Sequence, residues 1–497
     1  MHIIAMAAST VRYYTDPKVG IYGSPEAALL KPHLARLTDE LVKAYELQKH
    51  MTLCEGGTPS FQLLPSEDAT RFHTDEYVEF LQRLATEGRE VAKEAAGYAL
   101  NASVCFSELA WQWSQTYAGA SVEAASCLTS GAAKTAINWM GGQMHARRDC
   151  ASGFSYVNDV VLAILTLLRV HERVMFVNLD AWHCSGVEEA FYTTDKVLCV
   201  SLHRRGEAFF PGSGDVQDTG AGGGAHHTVN MPVAEGLTDE ELEALFVPVV
   251  AAAAERFQPD CVVYCAGAGV LSGDRLGCLN VSMAGFGKCM QAVLDIDKPL
   301  LLLGAGGSHQ TNTARAWVKA TAMACGQTLP DALPEHDFAD YYHPEMTLHV
   351  PAVDMTDKNT PEALKATLDA CLATAAAMPA RTASSGGAAP KPAAAAGDDA
   401  TTTATGNASE EVDSNGKLAA LQSGGLTADE TLLTSPLSNP RPGADVPMDA
   451  GSELEPAASM ADATDGGGTE APMEAASEDP TQATQEPAGS DAMDMEP

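Results

Sequence analysis

A carboxylate, an imidazole and a thiol follow one apolar segment near the middle of the chain. The segment Arg173–Asp180 ends in the carboxylate, and His183 and Cys184 come shortly after it. These side-chain types are the usual protein ligands of zinc, so this stretch is a candidate metal site. On an extended strand, residues three apart point to opposite faces, so Asp180 and His183 would need an irregular turn to meet on one ion. The spacing alone therefore leaves open both a metal site and a structural role.

Glycine-rich segments follow two further apolar runs, and neither segment presents a carboxylate at the end of its run. The run Cys261–Cys265 leads into Ala266–Gly269, and the run Pro299–Leu303 leads into Gly304–His309. A dinucleotide-binding turn needs a third glycine where this chain has His309, together with an acidic residue farther along the chain. We therefore expect no dinucleotide site after the second run.

The elements that must position these residues alternate between apolar runs and helical patterns. Four runs are continuously apolar, as expected for parallel strands that helices cover on both faces. Two segments carry apolar residues at helical spacing, Asn158–Arg169 and Glu240–Phe257, and a capping box at Thr238 and Glu241 opens the second. The predicted fold class is α/β: a single large domain with a central parallel sheet flanked by helices, which binds its ligands beyond the carboxyl ends of the strands. The predicted strands are Arg173–Asp180, Lys196–Leu202, Cys261–Cys265 and Pro299–Leu303.

The composition changes sharply towards the end of the chain. The 497 residues include 30 basic and 66 acidic side chains, a net charge of −36. From Arg381 onwards there are 4 basic and 21 acidic residues and no Phe, Trp or Tyr, so this part cannot bury enough apolar surface to order itself. We predict an N-terminal extension over residues 1–10, a folded domain over 11–378 and a disordered acidic tail over 379–497. The acidity argues against direct nucleic-acid binding and against docking on anionic membranes.

Twelve cysteines are scattered along the chain without a Cys-x-x-Cys pair or a dense disulfide spacing. This pattern indicates reduced thiols inside a cell and no zinc finger. The N-terminus lacks the charged and apolar regions of a signal peptide, and the longest apolar runs are too short to cross a bilayer. We therefore expect a soluble intracellular protein.

Five segments closely resemble class I histone deacetylases, within a collinear match from about residue 11 to about residue 375. The resemblance implies the arginase–deacetylase fold, with a central parallel sheet flanked by helices. It also implies hydrolysis of acetyl-lysine amides by a zinc-activated water, usually within nuclear corepressor assemblies. The five segments are Lys31–His33, Ala151–Asp159, Val187–Asp195, Phe210–Asp215 and Ser272–Cys278.

The resemblance implies three zinc ligands, Asp, His and Asp, around a site left open for water and the acetyl oxygen. At the matching positions this chain has Asp180, Trp182 and Gly269. Of the three ligands only the carboxylate of Asp180 remains, because an indole nitrogen does not bind metals and glycine has no side chain. We expect Trp182 to fill the space of the ion. A catalytic zinc at the usual place is therefore not expected. An ion held by Asp180, His183 and Cys184 in an altered geometry stays an alternative.

The proton-transfer residues that the resemblance implies are replaced as well. Of two adjacent histidines in the family only the second remains, as His145, and Met144 stands at the first position. The carboxylates that orient the two histidines match Asn178 and Ser185, so His145 lacks the partner that would fix its tautomer. The tyrosine that polarises the acetyl oxygen matches Ser308, whose hydroxyl is too short to reach the same point. One such donor is typically worth roughly a hundredfold in rate.

Residues around the implied acetyl-lysine tunnel are better preserved. Lys31 and Arg275 match two basic positions where class I members can hold an inositol phosphate. The third basic position matches Thr311, so we expect Arg275 to form a surface salt bridge instead. The acidic residue on the tunnel rim matches Ala102, and His183 is expected to be a hydrogen-bonded structural histidine. Phe154 and Phe210 match the two aromatic walls of the tunnel. Gly153 matches a glycine that lines it, and Leu276 matches a residue near its rim.

The sequence therefore predicts a class I histone-deacetylase-like protein in chromatin regulation, without hydrolytic activity, as a subunit of a deacetylase or corepressor complex. Two alternatives stay open: an active zinc-dependent lysine deacetylase with rearranged ligands, and a module that binds acetyl-lysine without cleaving it. No cofactor is expected under the first hypothesis, and zinc is expected under the active alternative. Expected partners are corepressor proteins, an active deacetylase and histones. Nuclear residence is implied by the resemblance alone, and cytoplasmic residence stays open.

Overall fold

The computed structural model describes residues 10–19, 30–100 and 109–381. Of the predicted N-terminal extension only Thr10 is described, and of the predicted acidic tail only residues 379–381. Ala102, the match to the acidic rim residue, also lies outside the described residues.

A single sheet of eight strands forms the centre of the described part of the chain, and every pair of neighbouring strands is parallel. The strand order is β2-β1-β3-β8-β7-β4-β5-β6. The predicted α/β class with a central parallel sheet is therefore confirmed. The strands are β1 (Val11–Thr15), β2 (Thr52–Glu55), β3 (Thr135–Asn138), β4 (Val174–Leu179), β5 (Val197–Arg204), β6 (Thr228–Val233), β7 (Cys261–Ala266) and β8 (Leu300–Leu303).

Eleven α-helices and several short 3₁₀ turns connect these strands in the described residues. The helices are α1 (Leu30–Ala44), α2 (Ser66–Ala69), α3 (Asp75–Glu87), α4 (Ala92–Ala95), α5 (Ala110–Thr129), α6 (Asp159–Leu167), α7 (Ser185–Phe191), α8 (Asp239–Phe257), α9 (Met283–Leu294), α10 (Gln310–Ala324) and α11 (Pro361–Ala377).

Both helices predicted from sequence form, and each begins with a side-chain cap. The Asn158 side chain accepts a hydrogen bond from the backbone N–H of Val161 and so caps α6. At the start of α8, Thr238 and Glu241 form the predicted capping box, in which each side chain accepts from the backbone N–H of the other residue. Each cap satisfies backbone donors that the first helical turn leaves without an intrahelical partner.

The central strands are buried along their whole length because helices cover both faces of the sheet. All six residues of β4 and of β7, and all four of β8, are buried. The outermost strand β2, by contrast, has only one buried residue. Burial on both faces explains why the sequences of the central strands are continuously apolar.

The strand order brings four carboxyl ends together in the middle of one edge. β3, β8, β7 and β4 are consecutive neighbours. Leu179 at the end of β4 is paired with Ala266 of β7, and Cys265 is paired with Leu303 at the end of β8. The segments after these residues therefore meet beyond one edge of the sheet, where parallel α/β folds place their ligand sites.

The folded part continues a few residues beyond α11. Met378 is fully buried, and its carbonyl oxygen accepts a hydrogen bond of 2.6 Å from Nε of Arg256. Arg381 forms ion pairs with Asp260 at 2.8 Å and with Glu172 at 3.0 Å. A truncation that spares the fold should therefore begin after Arg381.

None of the helices in the described ranges combines the length and apolarity needed to span a membrane. The eleven cysteines within those ranges form no disulfide with one another.

Candidate functional site

A cavity of about 150 Å³ opens beyond the carboxyl ends of the central strands. All four predicted tunnel residues line it. Phe154 and Leu276 are 43% and 50% exposed, so they stand at its mouth, whereas Phe210 is 7% exposed and forms an inner wall. A Cβ on Gly153 would lie 2.8 Å from both the His145 and the Phe210 rings, so this position has room for glycine only. The structure therefore brings the predicted tunnel residues together around one cavity, while their role in holding a substrate stays a prediction.

Asp180, which matches the first zinc-ligand position, is fully buried directly after β4. Its Oδ1 accepts a hydrogen bond of 2.7 Å from the N–H of Ala181, and its Oδ2 accepts one of 2.5 Å from the N–H of Gly306. Burial raises the pKa of Asp180 to about 7, although these two backbone donors oppose the rise. Both carboxylate oxygens are thus already engaged by the protein's own backbone.

The Trp182 indole lies between two glycines from different strand ends. A Cβ on Gly269 would come within 2.5 Å of the Trp182 ring and 2.6 Å of Asp180 Oδ1. A Cβ on Gly306 would come within 2.4 Å of the same ring. Trp182 itself is 8% exposed. The ring therefore occupies the space in which a side chain at position 269 would have to stand.

These residues do not fit a catalytic zinc ion. Zinc sites of this kind need three protein ligands with nitrogen, oxygen or sulfur donors. Of the three matched positions, only Asp180 carries a donor group, and the Trp182 ring lies close to it. Within the part of the chain that the structure describes, no three His, Cys, Asp or Glu side chains are grouped so as to hold a metal.

His145 lines the cavity and is held by packing rather than by a carboxylate. Its ring meets Phe210 edge to face, with the ring centres 5.2 Å apart. Nδ1 is buried and has no hydrogen-bond partner among the described residues. Burial lowers the pKa of His145 to about 3, and the positive charges of His183 and Lys31 act in the same direction. The ring is therefore neutral at physiological pH.

The other three positions matched to the proton-transfer residues near His145 are occupied by Met144, Asn178 and Ser185. Met144 is 1% exposed and lines the inner part of the cavity. The Asn178 amide donates to the Trp182 carbonyl and to Ser201 Oγ, each at 3.0 Å. Ser185 begins α7, and its buried hydroxyl has no partner in the described ranges. None of the three supplies a carboxylate or a second imidazole to the cavity.

Ser308 is bound to an aspartate that is not among the predicted site residues. Its backbone N–H donates to Asp274 Oδ2 at 2.6 Å, and its hydroxyl donates to Asp274 Oδ1 at 2.7 Å. Asp274 also accepts from the backbone N–H groups of Leu276 and Gly277. The carboxylate thus fixes the loop after β8 to the rim of the cavity, and the hydroxyl proton of Ser308 is used in that contact.

His183 makes the contacts of the hydrogen-bonded structural histidine that the sequence predicts. Its Nδ1 lies 2.8 Å from Ser213 Oγ, and its Nε2 lies 3.0 Å from Glu188 Oε2. Burial opposes protonation of His183, but Glu188 and Cys184 outweigh it and raise the pKa of His183 to about 10. Glu188 could not be recognised as the partner from sequence, because the contact depends on how α7 packs against the loop after β4.

Comparisons with known proteins show the family to which the chain belongs. The histone deacetylase domain matches residues 31–324 of the chain. Histone deacetylase 1 of Homo sapiens is 40% identical over 356 residues, which cover 71% of this chain and 73% of that protein. Histone deacetylase 19 of Arabidopsis thaliana is 41% identical over 356 residues, with 71% and 70% covered. Probable histone deacetylase 1-A of Xenopus laevis is 40% identical, with 71% and 73% covered.

The chain belongs to the histone deacetylase family. The resemblance predicted from its motifs is therefore confirmed at the level of the family.

The two basic positions that match a family inositol phosphate site differ in their surroundings. Lys31 lines the cavity, and its ammonium donates a hydrogen bond of 2.7 Å to the Ala305 carbonyl. Arg275 is exposed, and no carboxylate of the described residues lies within 4.0 Å of its guanidinium. Thr311, at the third position, is 8% exposed. The inositol phosphate site itself stays a prediction.

No carboxylate among the described residues forms the surface salt bridge expected for Arg275, so that salt bridge stays a prediction. The acidic residue next to it in the chain, Asp274, is 3% exposed and turns inward. Its oxygens accept from Ser308 and from the backbone of its own loop. Asp274 is therefore not the partner of the Arg275 guanidinium.

Proposed function

We propose that this histone-deacetylase family member does not hydrolyse acetyl-lysine and serves as a structural or regulatory subunit of a chromatin complex. The observation that carries the proposal is the position of Trp182. Its ring lies against Gly269 and close to Asp180. Position 182 matches one metal ligand of the family, and Asp180 and Gly269 stand at the positions matched to the other two. Removing two of three ligands takes away most of the coordination that a bound zinc needs.

The proton-transfer groups support the same proposal. A general base works best when its pKa lies near the operating pH, and the pKa of His145 is lowered to about 3, mainly by burial. Met144 cannot accept a proton, and the Ser308 hydroxyl donates to Asp274 rather than towards a substrate carbonyl. Without a metal, a matched base or an oxyanion donor, the cavity has little means of activating a water molecule.

A combined measurement of metal and turnover tests the proposal. The purified full chain is analysed for bound zinc and assayed on an acetyl-lysine peptide with and without a hydroxamate inhibitor. We expect substoichiometric zinc and no hydroxamate-sensitive product. The matched positive control is the same chain with Trp182→His, Gly269→Asp, Met144→His and Ser308→Tyr. Stoichiometric zinc with inhibitor-sensitive turnover in the unmodified chain would overturn the proposal.

An active zinc-dependent deacetylase with rearranged ligands is the first alternative. It is supported by the identity of 40% to proteins named histone deacetylases. In this alternative one ring nitrogen of His183 would have to exchange its contact with Ser213 or Glu188 for the ion. The zinc measurement above decides between the two proposals, and a Glu188→Gln variant asks whether freeing His183 changes the zinc content.

A module that binds acetyl-lysine without cleaving it is the second alternative. The cavity of about 150 Å³ supports it, because Trp182 lines this cavity without filling it. Binding of an acetyl-lysine peptide without turnover, lost in a Phe210→Ala variant and absent for the unacetylated peptide, would favour this alternative.

For partners and location, we propose corepressor proteins, an active deacetylase and histones in the nucleus. The support is the similarity to histone deacetylase 1 and the acidic segment, which carries 21 acidic residues from Arg381 onwards. Affinity purification of the tagged full chain from nuclear and cytoplasmic extracts, with deacetylase activity measured in the eluate, tests both points. Copurifying activity in the nuclear fraction alone is the expected result.

A further inference from the structure

Two thiol groups lie close together at the outer edge of the sheet, and neither of them lines the cavity described above. Tyr14 of β1 is paired with Cys54 of β2, so their side chains stand next to each other on one face of the sheet. The Tyr14 hydroxyl donates a hydrogen bond of 3.5 Å to the Glu123 carbonyl of α5, so this helix covers that face. Cys127 lies one turn after Glu123 on the same side of α5. The two thiols therefore approach one point, one from a strand and the other from a helix.

The Tyr14 hydroxyl connects the two thiols. It is in hydrogen-bonding contact with the sulfur of Cys54 and with that of Cys127. Both cysteines are 3% exposed, and no disulfide joins them. Burial raises the pKa of both thiols, although Arg12 and Tyr14 oppose the rise. The pair is therefore an uncharged dithiol at physiological pH.

An arginine stands beside this pair without an acidic partner in contact. Arg12 lies two residues before Tyr14 on the same face of β1, and its guanidinium contacts the Tyr14 hydroxyl and the Cys127 sulfur. No carboxylate of the described residues lies within 4.0 Å of this guanidinium. The charge of Glu123 acts on Arg12 from a greater distance. The cluster therefore carries a positive charge that no ion pair within the described residues neutralises.

Two thiolates suit a soft monovalent metal ion, because soft sulfur ligands select Cu(I). A structural zinc takes four ligands, and in the described ranges no third His, Cys, Asp or Glu side chain is grouped with this pair to hold a metal. We propose that Cys54 and Cys127 form a two-coordinate Cu(I) site, with Arg12 as the counter-ion of the complex. Two S–H bonds break, two S–Cu bonds form, and two protons pass to solvent. The complex carries one negative charge, which the Arg12 guanidinium neutralises.

The position of the pair gives the ion a route from solvent. Cys54 is the one buried residue of β2, and Leu53 beside it is 38% exposed. β2 is the last strand of the sheet in the described part of the chain, and Arg12 on the neighbouring strand is half-buried. A small displacement of this short edge strand is therefore enough to expose the Cys54 sulfur.

Anaerobic competition for Cu(I) tests the proposal. The full chain, reduced and freed of metal with a chelator, is titrated against the coloured complex of Cu(I) with bathocuproine disulfonate, and the copper transferred to the protein is measured. We expect the unmodified chain to take up one more equivalent than the Cys54→Ser and Cys127→Ser variants. The control Cys325→Ser removes a half-buried cysteine at the end of α10 and should leave that equivalent in place.

The counter-ion is tested in the same assay. We expect Arg12→Met to weaken Cu(I) binding by about tenfold or more, because groups that contact metal ligands typically contribute that much to affinity. Arg12→Lys keeps the charge and should recover part of the loss. An unchanged affinity in Arg12→Met would overturn the inference, and so would equal copper uptake by the unmodified chain and the two serine variants.

X-ray absorption of the unmodified chain, loaded with one equivalent of Cu(I), gives a readout that does not depend on the folding of a variant. Two sulfur neighbours around the copper are expected, and a nitrogen neighbour or a third sulfur would overturn the inference. The site makes no use of the cavity. Its outcome is therefore independent of the zinc and turnover measurements that test the proposed function.

Discussion

At the residue scale, one large ring and two glycines define the centre of the site. Trp182 takes the space beside Gly269 and Gly306, so these three positions are sterically coupled although they lie far apart in the sequence. A side chain at position 269 overlaps the ring at position 182 unless that ring shifts or becomes smaller. Any change that introduces a ligand at one position must therefore be accompanied by a change at the other.

We expect Gly269→Ala to lower the free energy of unfolding by about 1–3 kcal/mol, because the added Cβ overlaps the Trp182 ring. In a Trp182→His background the cost of Gly269→Ala should be smaller by about 0.5 kcal/mol or more. Denaturant melts of the two single variants and the double variant measure this coupling. Gly206→Ala is the matched control, since a Cβ there meets no atom within 4 Å. Strictly additive effects would contradict the packing described.

The ammonium of Lys31 gives a pH-dependent prediction. Burial lowers the pKa of Lys31 from 10.5 to about 8, so the folded state binds fewer protons than the unfolded state between these two values. The free energy of unfolding therefore rises with pH across that window. The destabilisation caused by the buried ammonium is fully present below pH 8. We expect Lys31→Met to stabilise the ligand-free chain by about 1–2 kcal/mol at pH 7, with a gain that shrinks towards pH 10. Thermal melts at both pH values measure it, and a gain that grows with pH would contradict the assigned environment.

At the scale of elements, the site is built from segments after four strands. β3, β8, β7 and β4 are consecutive in the sheet. Met144 and His145 follow β3, and Ser308 follows β8. Gly269 follows β7, and Asp180 and Trp182 follow β4. All of these segments meet beyond one edge of the sheet, so side chains placed on them can converge on one point. Replacing these side chains by the family's ligands therefore tests whether the segments can form one metal site.

We expect the combined variant Trp182→His, Gly269→Asp, Met144→His and Ser308→Tyr to bind zinc, because it adds a histidine and an aspartate to Asp180 and so completes three ligands at adjacent strand ends. Metal analysis after dialysis against zinc measures the outcome. The matched control keeps Trp182 and carries the other three substitutions, and it should stay metal-free because the ring occupies the site. If the full combination binds no zinc, the match of these positions to the family ligands is wrong.

At the scale of the whole molecule, the charge is divided between the folded part and the acidic segment at the end of the chain. The chain carries 21 acidic residues after Arg381. Arg381 itself forms ion pairs with Asp260 and Glu172 of the folded part. A truncation after Arg381 therefore removes the acidic segment and keeps these ion pairs.

Removing residues 382–497 should leave the melting temperature unchanged and weaken histone binding several-fold at moderate salt. The physical reason is attraction between acidic and basic chains, which salt screens beyond a Debye length of about 8 Å. Histone pull-down with the full and truncated chains at two salt concentrations measures the effect. Equal binding by both chains would mean that the segment only solvates the protein.

Much of the fold can be predicted from the sequence because its strongest signals are local. β4, β5, β7 and β8 are apolar runs, and the caps of α6 and α8 use residues within three positions of each other. The same patterns do not predict β1, β2, β3 and β6, since these strands are short or less uniformly apolar. The strand order, with β8 between β3 and β7, also cannot be derived from local patterns.

The sequence by itself determined the family, the α/β class and the residue types at the positions matched to the zinc ligands, because each depends on residue identity or on local periodicity. Only the tertiary structure decided that Trp182 lies between Gly269 and Gly306, that Ser308 is hydrogen-bonded to Asp274, and that Lys31 of α1 lines the cavity. These contacts join segments from different strand ends and helices, and the sheet order and helix packing that join them are not encoded in any short stretch of sequence.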